Sequence, residues 1–217
     1  MRYRIGVFDF DGTLVDTCGP IALAVRGVLE AWDIEMPPET EFLHTVGLPL
    51  DELFRRFATT ADDRQIERMC ELYRERFRKV VRGRTRMYDG VAETVTRLRG
   101  AGVRLAIATS RGMPSLVQIL EDHGLCDAFD FLVSHNCVER GKPHPEMLER
   151  VLGHFDSGPA DALMVGDTTF DMTMGRAARI DTCAVTYGLH AAEDLRRERP
   201  THTVDRASDL PAVFGLG

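Results

Sequence analysis

No stretch of the chain approaches the roughly 20 consecutive apolar residues that a membrane-spanning helix needs. The N-terminus, Met1-Arg2-Tyr3-Arg4, runs straight into an apolar stretch too short for a signal peptide. Positive charge is not in excess: 27 Lys and Arg stand against 34 Asp and Glu, a formal net charge of −7. A nucleic-acid footprint would need clustered excess Lys and Arg, so that class of partner is not expected. A small anionic substrate would then require a local cationic site. The five cysteines, Cys18, Cys70, Cys126, Cys137 and Cys183, are odd in number and contain no C-x-x-C pair. That argues against a zinc or dithiol site and for reduced thiols in a cytosolic protein. The seven histidines show no ligand spacing, and there is no internal repeat or low-complexity segment. What these absences leave is a globular chain of 217 residues, 44% hydrophobic, able to bury a real core.

Strand signals are missing from residues 17 to 85, where the apolar positions recur at helical spacing. Ile21, Val25, Val28, Leu29 and Trp32 mark one helix, with Pro20 in its first turn, and Leu50, Leu53, Phe54 and Phe57 mark another. A longer one is expected from about Asp62 to Val80, with Glu75 four residues before Lys79. The basic run Arg82-Gly83-Arg84-Thr85-Arg86 reads as a solvated boundary. From Tyr88 the rhythm changes to alternating helix and strand, which implies parallel strands joined by crossover helices. Buried strands are expected at 103–108, 129–133, 162–165 and 182–185, and the opening run Ile5 to Phe8 must join them. The fold class is therefore α/β, a doubly wound, Rossmann-like core of residues 1–16 and 86–217 with a helical insertion, residues 17–85.

The opening strand ends in Asp9-Phe10-Asp11-Gly12-Thr13. On an extended chain, positions i and i+2 project to one side, and Gly12 allows a sharp turn. Asp9 and Asp11 are thus placed together at a strand's carboxyl end, where open α/β sheets put their ligands. Two close carboxylates raise each other's pKa unless a cation compensates, and a divalent metal is the natural one. A surface turn is the plainer alternative, since Asp and Gly are common turn residues.

Three later strands end in groups that would complete a phosphoryl-transfer site. Thr109 offers a hydroxyl, and Ser110 a backbone N–H before a helix, for phosphate oxygens, with helix capping as the alternative. In Gly141-Lys142-Pro143, Lys142 offers a point charge that a solvated loop lysine would also present. Gly166-Asp167-Thr168-Thr169-Phe170-Asp171 places two carboxylates four apart, with a capping role for Asp167 as the alternative.

In this order and in these strand contexts, the four segments resemble the haloacid dehalogenase superfamily of phosphohydrolases, and the tail from Tyr187-Gly188-Leu189 looks like its phosphoglycolate phosphatase branch. The resemblance implies that residues 17–85 form a helical cap over the substrate. It implies Asp9 as the nucleophile forming an aspartyl-phosphate, and Asp11 as general acid and then base. Mg²⁺ would be held by Asp9, the main-chain carbonyl of Asp11, and Asp167. Thr109 and Ser110 would bind phosphoryl oxygens, Lys142 would offset charge, and Asp171 would orient Lys142 or a metal-bound water. The segment Gly47-Leu48-Pro49-Leu50 resembles the family's specificity loop and is apolar here. Asp16 and Thr17 are expected to hinge and anchor the cap. Arg111 reads as a substrate contact or a solvated face, and His135 and His144 lie near the Lys142 loop without an assigned role. The implied reaction is hydrolysis of a small phosphorylated metabolite such as phosphoglycolate, with pyrophosphate, a sugar phosphate or a nucleotide open. Phosphomutase activity and non-catalytic binding are the rivals.

Overall fold

The computed structural model describes residues 1–217. Strand β1 (Ile5–Phe8) leads through a turn to the short β2 (Val15–Asp16). Four helices follow, α1 (Cys18–Ala31), α2 (Glu39–Leu43), α3 (Leu50–Phe57) and α4 (Asp63–Val80), before β3 (Arg86–Met87). The alternating half then runs α5 (Val91–Gly100), β4 (Arg104–Thr109), α6 (Met113–Asp122), β5 (Phe131–Ser134), α7 (Glu146–His154) and β6 (Ala162–Gly166). It ends with α8 (Thr169–Ala177), β7 (Asp181–Val185), α9 (Ala192–Arg197), β8 (His202–Val204) and α10 (Leu210–Val213).

Six strands form one parallel sheet in the order β5-β4-β1-β6-β7-β8. The chain winds outward from β1 on one side and then returns to its other side, so the switch point lies at the end of β1. Burial follows the two-residue period of the strands. Ile5, Val7, Ala106, Ala108, Ala162 and Met164 face α7 and α8, whereas Phe8, Leu105, Ile107, Leu163 and Val165 belong to the larger cluster on the opposite face. That larger cluster continues without a break into Ile21, Val25, Phe54, Met69 and Phe77 of the helical segment. No helix is long and apolar enough to cross a membrane, and all five cysteines are unpaired.

Local chemistry explains the helix bounds. Asp62 accepts from Gln65 N at 2.8 Å and the Gln65 side chain accepts from Asp62 N at 2.8 Å, a reciprocal cap that starts α4. Near its end, Lys79 pairs with Glu75. Arg82, Arg84 and Arg86 are exposed, as a solvated boundary requires. Beside the short helices α2, α9 and α10, two strand pairings have no periodic signal in the sequence. Strands β2 and β3 pair antiparallel, Val15 with Met87 and Asp16 with Arg86, so the chain leaves the sheet region and re-enters it through one two-stranded ribbon. Strand β8 adds a sixth member to the sheet.

Candidate active site

The carboxyl ends of β1, β4 and β6 and the loop after β5 converge at one edge. Asp9 follows β1, its N–H still in the ladder to Val165 O at 2.9 Å. Its Oδ1 accepts from Phe10 N at 2.6 Å and lies 2.7 Å from Lys142 Nζ, while Oδ2 accepts no hydrogen bond. Lys142 Nζ also lies 2.7 Å from Asp171 Oδ1, and its side chain is fully buried. One of the chain's two lysines is therefore spent between two carboxylates. The Lys142–Pro143 peptide is cis.

Helix α8 explains the placing of Asp171. Thr168, and not Asp167, caps this helix: its hydroxyl accepts from Asp171 N, and Asp171 Oδ2 accepts from Thr168 N at 3.0 Å and Thr168 Oγ1 at 2.7 Å. The capping box thus fixes one Asp171 oxygen and leaves the other for Lys142. Asp167 is held separately, Oδ1 by Thr13 Oγ1 at 2.6 Å and Oδ2 by Leu189 N at 2.9 Å. Two glycines make room for it. Gly12 has φ +84°, and a Cβ there would fall 2.1 Å from Asp167 Oδ2; one on Gly188 would fall 2.2 Å from Asp167 Cβ. Thr13, Gly188 and Leu189 are supporting residues that the sequence reading assigned no part; the D-G-T run and the Tyr187-Gly188-Leu189 segment were the available signals.

Asp9, Asp167 and Asp171 offer carboxylate oxygens all within 4.8 Å of one another, each buried. Burial pushes the Asp9 carboxyl well up, against the pull of Lys142, and burial followed by the charge of Asp171 pushes Asp167 up to about 7. Burial is the first cause of both shifts, and the neighbouring carboxylates add to it. Counting Asp11 and Arg111, four carboxylates face two cations. A hard divalent cation with oxygen ligands, such as Mg²⁺, fits that deficit and donor set.

Asp11 sits at the edge of this array, half-buried. Arg111 Nε bonds both of its oxygens, at 3.2 and 3.0 Å, Arg111 Nη2 reaches Oδ1 at 2.5 Å, and Thr17 Oγ1 donates to Oδ1. The solvated reading of Arg111 is thereby overturned: its side chain is 6% exposed, because the ion pair and the Phe77 ring 4.5 Å away enclose it. Thr17 holds Asp11, while Asp16 takes part in the β2–β3 ribbon. Thr109 Oγ1 accepts from Arg111 N at 3.1 Å and donates to nothing, and Ser110 Oγ donates to Gly47 O at 2.6 Å. Neither residue caps α6, which starts at Gly112 without a side-chain cap.

The Gly47 to Leu50 segment lies against this edge. A Cβ on Gly47 would meet Thr168 and Phe170, and one on Gly141 would come 3.0 Å from Pro49 and 3.3 Å from His135 Nδ1, a buried atom without a hydrogen-bond partner. His144 is turned to structure, its Nδ1 accepting from Glu146 N as α7 begins. His190, for which the sequence carries no signal, is buried beside Phe170 and His44, with Nδ1 accepting from Thr169 N.

A parallel α/β sheet with a lysine-bridged carboxylate array at its switch point carries an acidic centre where such sheets bind their ligands. Residues 7–185 match the profile of the haloacid dehalogenase-like hydrolases, and the chain belongs to that family. It is 34% identical over 209 residues to "Probable phosphatase IndB" of Dickeya dadantii (strain 3937), covering 94% of this chain and 90% of the relative. It is 31% identical over 214 residues to pyrophosphatase PpaX of Bacillus cereus (strain G9842), covering 99% and 97%. Its fold is similar to that of a predicted phosphoglycolate phosphatase from Haemophilus somnus 129pt, with a TM-score of 0.89 at 22% identity over 99% of each chain.

Proposed function

We propose that the chain is a cytosolic, Mg²⁺-dependent phosphatase that hydrolyses a small phosphomonoester, of the phosphoglycolate kind, through an aspartyl-phosphate on Asp9. The observation that carries this reading is the asymmetry of the Asp9 carboxylate, with Oδ1 pinned by Phe10 N and Lys142 and Oδ2 unengaged. In the first half-reaction Asp9 Oδ2 bonds to phosphorus, the bond from phosphorus to the ester oxygen breaks, and Asp11 supplies the proton to that leaving oxygen. In the second, water attacks the same phosphorus, Asp11 takes the water's proton, and phosphate leaves as Asp9 is regenerated. Thr109 holds a phosphoryl oxygen through its undonated hydroxyl. Ser110 does so through its N–H, since its own hydroxyl is bonded to Gly47 O. Lys142 offsets charge between Asp9 and the phosphoryl group, and Asp171 positions Lys142. Asp9, Asp167 and the Asp11 main-chain carbonyl would hold Mg²⁺, which supplies charge neutralisation to phosphoryl transfer when bound.

The helical segment, residues 17–85, acts as a cap over the core of residues 1–16 and 86–217, with Gly47 to Leu50 as its specificity loop. An apolar loop speaks against a mutase, which needs polar or cationic groups there to keep a phosphorylated intermediate. Inorganic pyrophosphate is the second candidate substrate, supported by the 31% identity to pyrophosphatase PpaX of Bacillus cereus. A panel of phosphorylated metabolites and pyrophosphate, assayed with Mg²⁺ and again with EDTA, tests the reading. Turnover that needs Mg²⁺ is expected; full turnover in EDTA, or none on any phosphate, would refute it.

A further inference from the structure

The guanidinium of Arg111 is held at the seam between the sheet edge and α4 in a state with donors to spare. Of the five N–H bonds of a guanidinium, the Nε hydrogen and one on Nη2 go to Asp11, and one on Nη1 goes to Ser115 Oγ at 2.8 Å. A second hydrogen on each terminal nitrogen has no partner, in a side chain 6% exposed. The guanidinium is enclosed rather than solvated. The Arg111 Cζ lies 4.5 Å from the centre of the Phe77 ring, and Tyr73 stacks on Phe77 at 5.7 Å. Burial pushes the Tyr73 phenol up, with the charges of Arg111 and Asp11 acting on it in opposite directions. A buried cation with open donors, walled by the Phe77 and Phe10 rings, has the chemistry to receive a planar or tetrahedral anion.

We propose that Arg111 recognises a second anionic group on the leaving side of the substrate, and that its bond to Asp11 is the parked state of that receptor. The inference rests on the assignment of Asp9 as the group that meets phosphorus. Lys142, Thr109 and Ser110 serve the phosphoryl group on the Asp9 side, whereas Arg111 is bonded to Asp11, the group proposed to serve the leaving oxygen. The substrate class is therefore a phosphoryl compound whose leaving group carries its own carboxylate or phosphate. In the parked state both Asp11 oxygens accept from Arg111, so neither is presented to a leaving atom. An anion that draws Arg111 away frees Asp11, which couples recognition of the right leaving group to release of the residue that serves it. A phosphate ester with a neutral leaving group fills the Asp9 side and leaves Arg111 where it is.

Three probes separate the cases by calorimetry on the full chain at fixed free Mg²⁺: methylphosphonate, with one anionic group; phosphonoacetate, with an added carboxylate; and methylenediphosphonate, with an added phosphonate. The unmodified protein should bind at least one two-anion probe about 10- to 100-fold tighter than methylphosphonate, the range of a charge-assisted hydrogen bond. Which probe gains tells carboxylate from phosphate. Arg111→Gln should erase the advantage while changing methylphosphonate affinity by less than about threefold, and Arg111→Lys should keep part of it. Equal binding of all three probes by the unmodified protein overturns the proposal, whatever the variants do. So does an equal loss on all three in Arg111→Gln, which would make Arg111 a structural support of Asp11. Binding selectivity without any turnover would sink the phosphatase reading and leave the receptor standing.

Discussion

Two cations face the candidate site, and they are held in opposite ways. Lys142 lies wholly inside the sheet edge, 2.7 Å from both Asp9 and Asp171, with no exposed surface. Each Asp171 oxygen is accounted for, and the lysine has no other place to go. Arg111 sits where the sheet edge meets α4, paired with a carboxylate that is itself 13% exposed, with two of its hydrogens free. The first arrangement is a fixed fitting: buried, bridged between two carboxylates, and costly to disturb. The second has an alternative partner open to it. The lesson is that similar ion-pair distances do not mean equal roles; what separates them is how many carboxylates hold each cation and how deeply it is enclosed.

The largest effect should come from the residue that Lys142 pins. Asp9→Asn keeps an oxygen for Phe10 N and leaves Lys142 paired with Asp171, so the fold should survive. Turnover should fall by roughly 10⁴-fold or more. A folded Asp9→Asn protein with near-normal turnover breaks the assignment. The contrast between the cations is sharpened by their removal. Lys142→Met strands two buried carboxylates and should cost about 3–5 kcal/mol in urea unfolding. Arg111→Gln should cost less than half of that, because Asp11 keeps Thr17 and some water. Equal costs would erase the distinction between fitting and receptor.

Next in size is the cation deficit itself. Mg²⁺ at about 100 times its Kd should add about 2.7 kcal/mol to unfolding stability. The pH dependence follows from Asp167, pushed from 3.8 up to about 7 by burial and then by Asp171. Between those values the folded chain keeps a proton that the unfolded chain has released. Its stabilising contribution is therefore full below about 3.8 and lost as pH rises through about 7. Because Mg²⁺ competes with that proton, its stabilisation should be larger at pH 7.5 than at pH 5.5. A Mg²⁺ effect independent of pH would count against Asp167 as a ligand. The smallest effect belongs to the seam: Ser110→Ala removes one hydrogen bond to Gly47 O, worth about 1 kcal/mol. Faster amide exchange confined to residues 45–50 is the expected readout, and unchanged exchange would show that Ser110 does not hold the loop.

The sequence made the sheet edge legible because its signals are local. A short apolar run closed by Asp-x-Asp-Gly, Thr-Ser or Gly-Asp names a strand and its end together, and parallel winding brings such ends to one edge whatever lies between. Helices α1, α3 and α4 were legible from periodicity, whereas α2, five residues long, is too short to show one. Arg111 was not, since nothing near it in sequence says that it will meet Asp11, 100 positions away, or the Phe77 ring. Asp167 was read as a possible cap because Asp before a helix usually is one, but Thr168 won the position through its exchange with Asp171. The β2–β3 ribbon contributes two residues from each side and β8 only three, too few to show a period.

That ribbon has a consequence for how such a molecule can be remade. Because Asp16 lies opposite Arg86 in a paired antiparallel ladder, the chain departs and returns at neighbouring points, and everything between is an excursion with its ends already tied. Cutting it out and joining the two strands by a tight turn would leave the order of the six-stranded sheet unchanged, and splicing in a different excursion would do the same. The ribbon is a socket: the helical segment can be exchanged without rewiring the sheet.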